Sequence, residues 1–197
     1  RLPQRGGKLR LFNLVDECTR ECHCLHAART IRAEDVLRLL EEVIGEKGAP
    51  QYIRSDNGPE FIARAIQRWL AEHGIKTIYI DPGCPWQNGY AESFNSRLRA
   101  ECLDRELLYT LSEARVVASD WKDYYNQVRP HRSLNLQPPA AFAKLHSLQV
   151  QHINNFRNHS ITTGPKSGAQ AIKLVKHSDW PSLVSHKHTT TEKTHSR

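Results

Sequence analysis

"QYIRSDNGPEFIARAIQRWLAEHGIKTIYI" (residues 51–80) decides the fold. "QYIRS" is a short strand that ends at Asp56. Pro59 suits a first helical turn, and Phe61, Ile62, Ala65, Ile66, Trp69 and Leu70 line one side of the helix that follows. Gly74 stops it, so the spacing predicts a helix over 57–74. "KTIYI" (76–80) is a strand again. A strand that ends on a bare carboxylate, joined by a helix to the next strand, predicts an α/β sheet with chemistry at the strand's carboxyl end.

Upstream, "KLRLFNLVDECTRECHCLHAAR" (8–29) holds two extended runs separated by a polar kink at Asp16–Arg20, which predicts a hairpin. "RLPQRGG" before it is turn sequence and implies a preceding strand that these residues do not contain. "AEDVLRLLEEVIGEKG" (33–48) has Val36, Leu37, Leu40, Val43 and Ile44 at helical spacing, acids in the first turn and Gly48 at the end. Downstream, "DPGCPWQNG" (81–89) is loop, and a helix runs from about Asn88 or Gly89 to Leu103. Thr110 and Glu113 have capping-box spacing at the head of a helix over 110–128, with Val117, Trp121, Tyr124 and Val128 as its apolar stripe. "RPHRSLNLQPPAAFAKL" after it reads as extended. The order β-β-α-β-α-β-α predicts a mixed sheet with flanking helices.

The chain has 197 residues, 39% of them hydrophobic and 25% charged, and no apolar run long enough for a membrane span. Its five cysteines, with no secretory signal, read as reduced thiols of a cytoplasmic protein. Cys18, Cys22, Cys24 and His26 invite a zinc reading. Cys22 and Cys24 are two apart, which puts them on one face of a strand as small apolar thiols, and no second ligand pair follows at finger spacing. The net charge is +7, and residues 146–197 hold seven Lys/Arg against two Asp/Glu. Those residues carry most of the basic excess and seven of the eleven histidines; "AQAIKLVKH" (169–177) could form a short helix, but the tail has too little apolar surface to order itself. The composition suits a nucleic-acid partner.

Glu92 lies near the start of the 88–103 helix. At about 100° per residue, Asn95, Ser96 and Arg99 fall on its side, whereas Ala91, Phe94, Leu98 and Cys102 form an apolar side. Carboxylates converging from different elements without Cys or His suit a hard cation such as Mg²⁺. Two such ions would serve phosphodiester chemistry. The bland alternative is that Asp56, in "SDNG", is a turn former.

"IRSDNGPEF", then the Glu of "PWQNGYAESFNSRLRAE", then "YYNQVRPHRSLNLQPPAAF" together resemble the integrase-type catalytic core of bacterial insertion-sequence transposases. The likeness is to the group made from two overlapping reading frames, related to retroviral integrases. It covers roughly residues 1–145 and leaves 146–197 as a low-order basic, His-rich tail. The resemblance implies a ribonuclease-H-like fold, here lacking its first strand, and an Asp–Asp–Glu triad binding two Mg²⁺ or Mn²⁺ ions. Asp56 matches the second Asp and Glu92 the Glu, as catalytic and metal-binding residues. Arg99 matches a basic position that contacts DNA. The first Asp of the triad has no counterpart here, and Asp16 starts the turn between two strands rather than replacing it.

The resemblance further implies DNA as partner (transposon ends and target), homo-oligomers or association with an intact transposase, and no membrane. It places the protein in the bacterial cytoplasm, at the nucleoid. By itself the chain is expected to be inactive in cleavage and strand transfer. The alternative is a non-catalytic DNA-binding or interaction remnant. Gln87 and Asn88 contact DNA or cap the helix, and Trp86 and Tyr90 stack on a base or pack the loop. Arg129 and Arg132 of "RPHRS" bind phosphates or lie in a solvated connection. The tail is either unrelated sequence or a basic DNA-binding arm.

Overall fold

The computed structural model describes residues 9–55, 63–79, 89–106, 108–159 and 171–176. The elements run β1 (Arg10–Asp16), β2 (Cys22–Ala28), α1 (Ala33–Lys47), β3 (Tyr52–Ser55), α2 (Arg64–Glu72), β4 (Lys76–Tyr79), α3 (Gly89–Leu98), α4 (Leu111–Gln127), α5 (Pro139–His159) and β5 (Ala171–Lys176). The strands form one sheet in the order β2-β1-β5-β3-β4. β1 is antiparallel to β2 and to β5, whereas β3 is parallel to β4 and to β5.

β1 explains the layering. Leu9 and Leu11 join a cluster with Phe94, Leu98, Trp121 and Tyr125 of α3 and α4. Phe12 and Leu14 join Val36, Leu40, Ile53, Ile66 and Leu70, the cluster of α1 and α2. Period-two alternation thus feeds both faces, and residues Leu11–Asp16 are all buried, as a strand covered by helices on both sides requires.

Local signals account for most helix ends. Thr110 Oγ1 accepts from the Glu113 backbone N–H (3.1 Å), and the Glu113 carboxylate accepts in return from Thr110 N (3.1 Å), the reciprocal box read in the sequence. At α1, Asp35 Oδ2 accepts from the Arg32 backbone N–H at 2.9 Å. Gly74 has φ +67, a left-handed conformation that ends the chain segment after α2. The helix expected over 57–74 is seen as Arg64–Glu72, with residues 57–62 outside the described ones.

Four expectations change. The buried stripe of α4 is Ala114, Ala118, Trp121 and Tyr125, one position round from the stripe expected, and Tyr124 and Val128 are exposed. Two alanines let the helix approach the sheet closely, and that choice turns Tyr124, whose hydroxyl tolerates water, outward. Second, Cys22 and Cys24 do not share a face. A register shift opposite Leu14/Val15 makes a bulge at His23, so Cys22 packs in the α3/α4 cluster and Cys24 against the α1/α2 cluster. Burial raises both thiols above their ordinary range, Cys24 to about 12, so neither is a ready thiolate ligand.

Third, the segment after "RPHRS" is not extended throughout. A short 3-10 turn (Arg132–Leu134) leads to α5, which starts on Pro139, a residue suited to a first helical position. α5 is continuous through residue 146, where the composition changes. Fourth, residues 171–176 of the tail expected to lack order form β5, in the middle of the sheet. A six-residue segment, too short to order itself, is held there by backbone ladders on both sides.

β2 is an edge strand, and α4 covers its open side. Asn126 Oδ1 accepts from Cys22 N (2.8 Å) while Asn126 Nδ2 donates to Cys22 O (2.9 Å), so a buried side-chain amide imitates a further strand. Asn126→Ala strands two buried backbone groups. It should lower the unfolding free energy by about 2 kcal/mol, read as a fall in the denaturant midpoint at unchanged slope.

Candidate active site

Glu92 sits exposed in the first turn of α3, where the helix dipole favours a carboxylate. Its position is set by the opposite side of the helix. Ala91, Phe94 and Leu98 are buried as the wheel predicts, and Cys102 continues the same side through a π-helical turn, Arg99–Leu103. Asn95, on Glu92's side, is tied to the sheet, its Oδ1 accepting from Asn13 Nδ2 at 3.0 Å. The π turn is closed by Asp104 N–H donating to the Arg99 carbonyl (2.9 Å). Arg99 Nε lies 3.9 Å from Asp104 Oδ2, so the predicted DNA-contacting cation has an ionic neighbour on its own helix.

Asp56, Gln87 and Asn88 lie outside the described residues. Ser55, immediately before Asp56, is buried at the end of β3. Asp16 is buried and its Oδ1 accepts from Cys18 N (2.6 Å) and Thr19 N (3.1 Å). That is a turn-forming role, as the sequence suggested. No group of three or more His, Cys, Asp or Glu side chains able to hold a metal ion occurs among the described residues.

Beside the start of α3 lies a cleft of about 1030 Å³, lined by Arg20, Arg54, Arg97, Arg129 and Arg132, with Glu17, Tyr90 and His131. Five guanidinium groups converge from the β1–β2 turn, β3, α3 and the segment after α4. Their commitments differ. Arg129 makes two charge-assisted bonds to Glu101, at 2.7 and 2.6 Å, and this pairing holds the Glu101 carboxyl below its ordinary range. Arg54 Nε is 3.3 Å from Glu17 Oε1, an ion pair whose geometry misses a hydrogen bond. The Arg20 guanidinium lies 3.6 Å from the centroid of the half-exposed Tyr90 ring and donates to the Glu17 carbonyl. Among the described residues Arg97 and Arg132 form no ion pair, and both are exposed.

The sequence singled out Arg129 and Arg132 but missed Arg20, Arg54 and Arg97. Arg54 carried a usable signal, since alternation sets it opposite Ile53, on the α3/α4 face. Arg97 carried none, because it lies off the Glu92 side of the helix and joins the cleft only through the chain crossing from α4. Tyr90, weighed as a base-stacking or packing residue, instead faces Arg20.

His131 is buried under the cleft, 4.7 Å from the Tyr125 ring, edge to face. Burial, aided by Arg129 and Arg97, lowers its pKa to about 4. A folded value below the ordinary 6.5 means the unfolded chain binds the proton more readily. The stability from neutral His131 is therefore full above about pH 6.5 and is lost as pH falls toward 4. Between pH 7 and 5 this should remove about 1–2 kcal/mol, allowing for solvent access. Burial also lowers His23 and His26, so their contributions change with pH in the same direction. Comparing melts of wild type and His131→Phe across pH 7–5 isolates the His131 share as a flatter profile in the variant.

A mixed sheet with helices packed on both faces is the architecture of a ribonuclease-H-like core. Two family models, both described as integrase core domain, match residues 1–85 and 73–139. The chain belongs to the integrase core domain family. The IS476 insertion element uncharacterized 39.2 kDa protein of Xanthomonas euvesicatoria is 42% identical over 148 residues, covering 75% of this chain and 42% of that protein. The IS407 31.7 kDa protein of Burkholderia multivorans is 37% identical over 141 residues, covering 72% of this chain and 51% of its own length. The chain thus spans about half the length of these relatives or less. Among solved structures, the HTLV-2 integrase catalytic core, in a trimeric form with magnesium, gives a TM-score of 0.54 at 18% identity over 67% of this chain and 82% of that one. That likeness concerns the fold.

Proposed function

We propose that this chain is a DNA-transposition core, supplying part of a metal-dependent site for phosphodiester cleavage and strand transfer. The observation that carries the reading is an exposed glutamate in the first turn of α3, the helix whose Tyr90, Ser93 and Arg97 line a cleft rich in arginine. Asp56 and Glu92 would hold Mg²⁺ or Mn²⁺. Glu92 fits such an ion, being an exposed oxygen donor, and no group of three or more His, Cys, Asp or Glu able to hold a metal occurs among the described residues. The chemistry such an ion would supply is activation of the attacking oxygen and stabilisation of the leaving one. The chain's own work is to bind and orient. Arg97 and Arg132 hold backbone phosphates by charge. Arg20 and Tyr90 form a stacked platform at the cleft mouth, Arg129 stays braced on Glu101, and neutral His131 packs beneath. Joining two DNA ends calls for more than one copy, so a multimer belongs to the same reading.

Titrating Mn²⁺ into the chain tests the assignment. Asp56→Asn and Glu92→Gln should each weaken binding at least tenfold, since either leaves one carboxylate to hold the ion. Unchanged affinity in both variants would overturn it. With two acids of the three that the resemblance implies, the 197 residues alone should bind DNA without joining ends. Joining that depends on both carboxylates would overturn that second part.

A further inference from the structure

β5 is the sole backbone link between the two halves of the sheet among the described residues. It pairs with β1 from Phe12↔Lys176 to Asp16↔Ile172, and with β3 from Tyr52↔Ala171 to Arg54↔Lys173. β1 and β3 do not pair with each other. Strands lie about 4.8 Å apart in the hydrogen-bonding direction, so β5 holds β1 and β3 at roughly twice that spacing. α3, which carries Glu92, is packed on the β1 side through Phe94 and Leu98. Asp56 follows directly on β3. The two acids therefore belong to different halves of the sheet, joined otherwise among the described residues by the α1/α2 cluster on the far face and the Arg54–Glu17 ion pair.

We propose that residues 171–176 act as a positioning strand. By occupying the central slot in cis, the C-terminal segment sets the spacing and register between the β1 half, with Glu92, and the β3 half, with Asp56. The strand pairing is independent of the proposed chemistry. Only its consequence for metal binding rests on that reading. Without β5, both β1 and β3 present open edges, and an unpaired edge is a costly and sticky state. The segment AIKLVK contains no carboxylate, so it completes the scaffold without adding a third acid. Residues 171–176 are then part of the sheet rather than of an appendage.

Hydrogen exchange of the full chain, without DNA or metal, decides the matter. Amides of 172–175 should be protected to the same degree as those of β1 and β3. In full-length Leu174→Pro, which removes a ladder donor from a central strand, protection in β1 and β3 should fall at least tenfold. Thr190→Pro, outside β5, should change nothing. Exchange of 172–175 in the wild type at the rate of an unstructured peptide would overturn the proposal, even if the proline variant failed to fold. So would unaltered β1 and β3 protection in Leu174→Pro. Protection that rises with protein concentration, alongside a dimer in sedimentation, would assign the slot to a second copy and overturn the cis arrangement. Neither measurement needs DNA or metal, so failure here is separable from failure of the transposition reading.

Discussion

Trp121→Ala lowers the unfolding free energy by about 3–5 kcal/mol, the range for truncating a large buried aromatic. Trp121 is 7% exposed and sits between Phe94, 5.5 Å away edge to face, and Tyr125, at 5.0 Å. These rings join α4 to α3, and α3 to β1, so the cavity opens at the junction that positions Glu92. A chain of this size should melt roughly 10 °C lower, at about 2–4 °C per kcal/mol. Trp121→Phe is the informative companion. The indole Nε1 has no hydrogen-bond partner among the described residues, so phenylalanine relieves an unmet polar group while giving up some packing. Its cost should stay below about 2 kcal/mol. Calorimetry on both variants checks the pair, and equal losses would mean that the aromatic area phenylalanine retains contributes nothing to stability.

The second large effect concerns DNA. Arg97→Ala with Arg132→Ala removes two of the three cleft cations that form no ion pair within the described residues, leaving Arg20 on the Tyr90 ring and the Glu17 carbonyl. Every phosphate left without its guanidinium should reduce the slope of log affinity against log salt by about 0.9, so the double variant should reduce it by roughly 2. At moderate salt the affinity should fall about 10- to 100-fold, or about 1.4 kcal/mol per factor of ten. Fluorescence anisotropy with a labelled duplex at several salt concentrations reads both quantities. Arg38→Ala, which breaks an exposed ion pair with Glu42 on α1, is a control for non-specific charge loss and should move neither much. Arg129→Ala should behave differently from both, because it leaves the Glu101 carboxylate without its two bonds. Its first readout is a lower melting temperature rather than a changed salt slope.

Much of the architecture was legible from residue order. The hairpin, α1, the β3–α2–β4 unit, the capping box at Thr110 and the apolar side of α3 all follow from short-range physics. Their signals (alternation, helical spacing, caps and turn formers) lie within one or two turns of chain. Expectation and structure part where a second element decides. Which stripe of α4 turns inward depends on how closely two alanines let it approach β2. The faces of Cys22 and Cys24 depend on a bulge that alternation cannot announce. The candidate site divided the same way. Glu92 and its exposed side came from the helical wheel, whereas Arg20, Arg54 and Arg97 meet only because separate segments converge.

The tail is the sharpest instance. Nothing in AIKLVK marks it as a central strand rather than a fragment of low-order sequence, since six residues bury too little to order themselves. What orders it is the place between two strands more than 100 residues upstream, whose N–H and C=O groups it satisfies. Local periodicity determined the elements and their order, and the helical wheel made Glu92 a candidate acid. The tertiary structure alone decided which cations converge beside its helix and which strand closes the sheet, because backbone pairing and charge convergence are properties of distance in space.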